Sequence, residues 1–233
     1  MNGDEDEGRR APLSGCMSGC ACAVGNEFSE RQARQDQKAY RRNGPTKTTA
    51  LLIDGLADGG VDGLTVLDIG AGVGAVQLGL LAAGAASAVD VDGSPAYVAV
   101  AREEAEKSGR GADIRYEIGD FVDLAAHLEA ADLVALDRVV CCYPDMDALV
   151  RRSVALARHR YGLVYPRNTW WIRAASGSLN AVSRLFRQRF RIWVHATADV
   201  DEIVRAAGFT PRMTRSTIFW QVVVYERDDQ FGG

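Results

Sequence analysis

The chain has 233 residues, 47% of them hydrophobic and 25% charged, numbers of an ordinary globular protein able to bury a sizeable core. Its net charge of −4, from 27 Lys+Arg against 31 Asp+Glu, excludes the strongly basic balance of a whole-surface nucleic-acid binder. The longest apolar-looking stretch, from Ala75 to Val89, is mostly Ala and Gly, carries Gln77, and is too short to span a bilayer, so no stable membrane insertion is expected.

Residues 1–25 are acidic at Asp4 to Glu7, then rich in Gly, Ser, Cys and Ala, and read as a tail without periodic structure. The acidic start does not read as a secretory signal, which predicts a cytoplasmic protein. Cys16, Cys20 and Cys22 lie in this tail; their spacing matches no standard structural zinc site and no metal is assigned. Residues 26–57 predict two leading helices, Phe28 to Arg42 and Thr46 to Leu56, separated by Asn43-Gly44-Pro45. Tyr40, Arg41 and Arg42 on the first are candidates for a lid.

Residues 58–228 predict one α/β domain. Leu64 to Ile69 reads as a strand, Ala75 to Ala83 as a helix, Ser87 to Val91 as a strand, and Pro95 to Ser108 as a helix with Pro at its start. A strand from Ile114 to Ile118, a helix near Leu124 to Glu129, a strand from Leu133 to Val140, a helix from Met146 to Ala157 and a strand from Arg160 to Val164 continue the alternation. After a further helical stretch come a helix from Val200 to Ala207, ending at Gly208, and an apolar strand within Ser216 to Glu226. Such alternation predicts an α/β doubly wound, Rossmann-like sheet, closed by an antiparallel edge hairpin, with helices on both faces.

Ligands of open parallel sheets bind beyond the carboxyl ends of the strands, which directs attention to Asp68-Ile69-Gly70-Ala71-Gly72-Val73-Gly74. Gly70, Gly72 and Ala75 also satisfy a dinucleotide fingerprint, so the glycines alone do not choose a cofactor. Asp68 does: a carboxylate there would repel a pyrophosphate and favour the ammonium and sulfonium of S-adenosylmethionine. Asp92, eighteen residues past Gly74, is placed to meet ribose hydroxyls, with Asp90 on the same strand face as its competitor. Asp120 offers a carboxylate to an adenine amino group and Phe121 a ring to pack on the base.

In these three passages the sequence resembles the class I S-adenosylmethionine-dependent methyltransferases, over about residues 46–227. The resemblance implies a seven-stranded sheet with a reversed last strand, S-adenosyl-L-methionine as donor, Asp137 at the fourth strand end as part of the donor site, and an acceptor placed against Arg138 to Asp145. The passages Cys142-Tyr143-Pro144, Tyr165 to Trp171, Val194-His195-Ala196 and Ala206 to Phe209 are similar more specifically to magnesium-protoporphyrin IX methyltransferases, which esterify a porphyrin propionate. Those enzymes carry a His where this chain has Cys142. Candidate catalytic residues are therefore Cys142, Tyr143 and His195, the last two as aids to proton removal from a phenol or amine acceptor.

The segment from Arg151 to Arg191 holds ten Arg and no Asp or Glu, and Trp170, Trp171 and Trp193 accompany it, so a small anionic aromatic acceptor would find both charge and stacking surface. The expected partner is such a small molecule, tetrapyrrole-like in the leading reading, and not DNA. RNA docking on the same segment is the second reading, and a non-catalytic methyltransferase-like domain the third. A solvated amphipathic helix would show the same pattern.

Overall fold

The computed structural model describes residues 30–172 and 195–228, so the predicted tail, its three cysteines, Trp193 and the arginines from 173 to 191 lie outside the described residues. Two helices lead, α1 (Glu30–Asn43) and α2 (Lys47–Ala57). Then come β1 (Thr65–Ile69), α3 (Ala75–Ala82), β2 (Ser87–Asp92), α4 (Pro95–Lys107), β3 (Ile114–Ile118), a short α5 (Phe121–Leu124) and β4 (Ala131–Asp137). The chain continues through α6 (Met146–Ala155), β5 (Ala157–Pro166), α7 (Thr197–Ala206), β6 (Phe209–Ser216) and β7 (Trp220–Arg227).

Seven strands form one sheet in the order β3-β2-β1-β4-β5-β7-β6. The first five pair in parallel, while β7 runs antiparallel between β5 and β6. This is the expected Rossmann-like sheet with its terminal hairpin. The period of two in each strand divides the core into two layers. Leu67, Ile69, Val134, Leu136 and Leu163 face one cluster with Leu149, Val150 and Val204 of α6 and α7. Val66, Leu133 and Ala135 face the other with Leu52, Leu56, Leu80 and Leu81 of α2 and α3.

Two elements depart from expectation. Helix α5 begins at Phe121 instead of near Leu124, because the Asp120 carboxylate accepts the Val122 N–H at 2.9 Å and so caps it there. Strand β6 extends the hairpin back to Phe209 through Pro211, Arg212 and Arg215, residues of no apolar alternation; it is a sheet edge, exposed on most of its length, and β7 supplies its pairing. Among the described residues no helix is long and apolar enough to cross a membrane.

Candidate active site

The order of strands reverses beside β1, whose neighbours are β2 on one side and β4 on the other. Outside the carboxyl ends of β1 to β4, at this switch point, lies a cavity of about 730 Å³, a size that suits a small organic ligand.

Its floor is the glycine loop. Gly70 and Gly72 take φ of 65° and 59°, the left-handed region that a side chain disfavours. A Cβ on Gly70 would also stand 2.6 Å from Val139 Cγ2, so the backbone is bare here by packing as well as by conformation. Gly74 serves otherwise: it caps α3 without lining the cavity, and a Cβ there would meet Gln77 Nε2 at 2.8 Å. The structure thus places Gly74 outside the described cavity wall, where a Cβ would also stand 3.4 Å from Ala101 Cβ of α4.

Asp92 ends β2 in the cavity wall. Its Oδ2 accepts the Gly72 N–H at 3.0 Å and its Oδ1 the Ser94 N–H at 2.8 Å, which fixes the carboxylate against the loop and leaves each oxygen a lone pair. Burial raises its pKa, while these two bonds lower it. Asp90 is not in the wall. Fully buried, it accepts Gln77 Nε2 at 2.8 Å, and burial, then the charge of Asp92, push its pKa up to about 7. Between the two acids the geometry thus selects Asp92.

Asp68 departs further from expectation. It has no exposed surface and does not line the cavity; its Oδ2 accepts the Gln77 backbone N–H at 3.2 Å. Burial first, then the Asp90 charge, hold its pKa well above the usual carboxylate range. The period of two turns Asp68 with Asp90 toward α3, under the loop, so a direct contact with a ligand ammonium is not what this side chain makes.

At the end of β3, Asp120 accepts the Tyr143 hydroxyl at 2.8 Å, and both residues line the cavity with Phe121. At the end of β4, Asp137 accepts Thr49 Oγ1 at 2.6 Å and Arg138 Nε at 3.0 Å. Arg138 is the one non-glycine residue with positive φ among those described, at 64°. Its Nη2 donates to Thr46 Oγ1 at 3.0 Å and Thr49 Oγ1 at 2.9 Å, and its guanidinium lies over the Trp220 ring. Trp220 and Phe219 are cavity residues that sequence reasoning did not single out, and they join Arg138 of the expected acceptor passage, whose hydrogen-bond partners lie as many as 92 positions away.

Cys142 lines the cavity, as does Cys141. His195 does not: burial lowers its pKa, against the opposing effect of the nearby Tyr143 and Val140 backbone, and its Nε2 is buried without a partner among the described residues. The structure thus places the predicted catalytic His195 beside the turn that carries the cysteines and not among the described residues of the cavity wall. Trp170 and Trp171 are exposed outside the cavity wall. Of the described arginines in the basic segment, Arg151 pairs with Asp147, Arg152 with the Val122 carbonyl, Arg160 with the Leu56 and Gly60 carbonyls, and Arg167 with the Thr217 carbonyl. These are internal partners, and they engage four of the ten arginines of the predicted docking segment.

Helix α1 closes one side of the cavity with Asp36 and Tyr40. It is held by Arg34 on Glu103 at 2.6 Å, Gln37 on Glu103 and Glu104, Arg41 on Glu104 at 2.7 Å, and Tyr97 on Asp36.

Residues 66–159 match the family model described as a methyltransferase domain, and the surrounding sheet is the class I methyltransferase fold. Among solved structures the chain is similar to magnesium protoporphyrin IX methyltransferase from Synechocystis PCC 6803 with bound SAH, at 23% identity over 89% of this chain and 99% of that one, with a TM-score of 0.72. It is also similar to an O-methyltransferase family protein from Burkholderia thailandensis (17% identity, 88% and 64% of the chains, TM-score 0.66) and to the pyocyanin biosynthetic protein PhzM (18%, 88% and 62%, 0.60). No curated protein matches the sequence.

Proposed function

We propose that the chain is an S-adenosylmethionine-dependent methyltransferase whose acceptor is a small anionic, aromatic or tetrapyrrole-like molecule. The observation that carries the donor assignment is the charge of the cavity wall: among the described residues Asp36, Asp92, Asp120 and Asp137 stand there against Arg138, and Asp137 already pairs with that guanidinium. Such a wall favours a cation and offers a pyrophosphate no counterion, which supports a sulfonium donor over a nicotinamide dinucleotide. SAH bound to the Synechocystis relative supports the same reading.

The residues fit that donor. The bare backbone of Gly70 and Gly72 would let its amino-acid part lie close, the free lone pairs of Asp92 would accept the ribose hydroxyls, and Asp120 with Phe121 would take the adenine. When bound, the donor supplies an electrophilic methyl on a positive sulfur. The chain's own part is to orient and to exclude water: α1 and α2 act as a lid, the first held by Glu103 and Glu104, the second joined to β4 through Thr46, Thr49 and Arg138. A carboxylate acceptor is ionised at neutral pH and needs no general base, in keeping with the placement of His195 outside the wall. Tyr143, hydrogen-bonded to Asp120, and Cys142 lie at the acceptor end of this arrangement.

Calorimetric titration with S-adenosylhomocysteine and, in parallel, NADH tests the donor. Binding of the first alone supports the reading; binding of NADH alone overturns it. With labelled S-adenosylmethionine, methyl transfer to a porphyrin carboxylate supports the acceptor class, and transfer to RNA instead replaces it.

A further inference from the structure

Cys141 and Cys142 lie in the single turn, Val140–Cys142, that follows β4. Side chains of consecutive residues ordinarily diverge. Here both thiols reach back to one backbone carbonyl, that of Arg138, at 3.3 Å from Cys141 and 3.7 Å from Cys142, three and four residues earlier. The shared acceptor brings the two sulfurs to 3.6 Å from each other, in the wall of the cavity and without a disulfide.

That spacing is the bite of a chelate. Bonds of about 2.3 Å from two thiolates to one soft centre, closing on sulfurs 3.6 Å apart, subtend about 103°, an angle that suits a pyramidal or tetrahedral centre. Among the described residues no group of three or more His, Cys, Asp or Glu is placed to hold a metal ion, so the pair offers two bonds and no third. A thiophilic centre that arrives with its own third substituent matches a two-thiol site beside an open cavity.

We propose that Cys141 and Cys142 form a chelating dithiol site for a trivalent arsenical. With an arsine oxide the step is a condensation: both S–H bonds and the arsenic–oxygen double bond break, two arsenic–sulfur bonds form, and the oxygen leaves as water with the two protons. Arsenic stays trivalent and no oxidant or reductant takes part. The hydrogen bond from Cys141 lowers the pKa of Cys142, so Cys142 supplies the first thiolate. This site stands apart from the methyl-transfer reading, because the sulfurs and their common carbonyl define it without the donor.

The test uses the full chain with Cys16, Cys20 and Cys22 each changed to Ser, which leaves only the two cavity thiols, and phenylarsine oxide as probe. Intact-mass measurement is expected to show one equivalent bound with loss of one water and of both titratable thiols, reversed by 2,3-dimercaptopropanol and resisted by the same excess of a monothiol. Adding Cys142→Ser or Cys141→Ser is expected to weaken binding about 10²-fold or more, the gain that chelation gives a second bond. Should Cys141→Ser fail to fold by circular dichroism, Cys142→Ser, at the less buried position, decides alone. No binding, two equivalents, or affinity retained in Cys142→Ser would overturn the proposal.

Discussion

Asp68 on β1 and Asp90 on β2 stand directly opposite each other in the parallel register, both fully buried, and the one residue Gln77 donates to each, through its backbone N–H to Asp68 and its side-chain amide to Asp90. Asp68 Oδ1, Asp90 Oδ1 and Gln77 Oε1 have no donor. Three buried acceptors without a donor are what a carboxyl proton would satisfy.

The pH dependence of stability follows. Asp90 has a folded pKa near 7, above the ordinary 3.8, so between these values the folded chain holds a proton that the unfolded chain releases. Its contribution is therefore full below about pH 4 and is lost as pH rises to about 7, on the order of 4 kcal/mol for a shift of this size. Asp90→Asn, which keeps an acceptor and adds a donor, is expected to flatten that part of the profile and to be more stable than the parent at pH 8. Urea denaturation of both proteins at pH 5 and pH 8 checks this; parallel profiles would refute it.

Asp92→Ala removes the carboxylate that faces the cavity, and a loss of about 1.5 to 3 kcal/mol in S-adenosylhomocysteine affinity is expected, the cost of leaving ligand hydroxyls unpaired. Because Gly72 and Ser94 also lose their acceptor, thermal unfolding is measured beside the calorimetry. Unchanged affinity in a folded variant would remove Asp92 from the site.

Gly70→Ala places a methyl group 2.6 Å from Val139 Cγ2 on a backbone at φ 65°. The loop must shift, at a cost of about 1 to 3 kcal/mol. Reduced ligand affinity together with a lower melting temperature is the expected result, and a variant equal to the parent in both would show the loop to be more yielding than its packing.

Glu104 is buried and accepts from Gln37 and Arg41 of α1. Glu104→Ala removes the acceptor of Arg41 Nε and leaves Gln37 Nε2 only its bond to Glu103, and is expected to loosen α1 by about 1 to 3 kcal/mol. Hydrogen exchange over residues 30–43 reads this directly, and faster exchange confined to α1, with the sheet unaffected, is the expected pattern. Exchange unchanged in α1 would show that it is held by its packing alone.

The strand and helix alternation, the glycine loop and the acids at the ends of β2 and β3 are all legible in the sequence, because period and turn residues are local. What is not legible is which side of a strand end a ligand meets: Asp68 stands two residues before the first glycine of the loop, and only the register with Asp90 shows it turned toward Gln77. Nor does local pattern join Arg138 to Thr46, or bring Trp220 to the cavity, since those neighbours come from opposite ends of the chain. Strand β6 was hidden for another reason. An edge strand with both faces wet has no alternation to read.

The reversed strand β7 has a bearing on how the molecule is made. It pairs with β5 along seven residues, Arg160 to Pro166, and with β6 on its other side, so it is made after the six other described strands and yet sits inside the sheet. Until residues 220–227 emerge, one flank of β5, with its row of backbone donors and acceptors, waits uncovered beside a nearly finished parallel half. Completion of the fold is thus a zipping of a late hairpin onto an early edge, and a ribosome-stalled chain ending before Trp220 would display that edge to any strand able to pair with it.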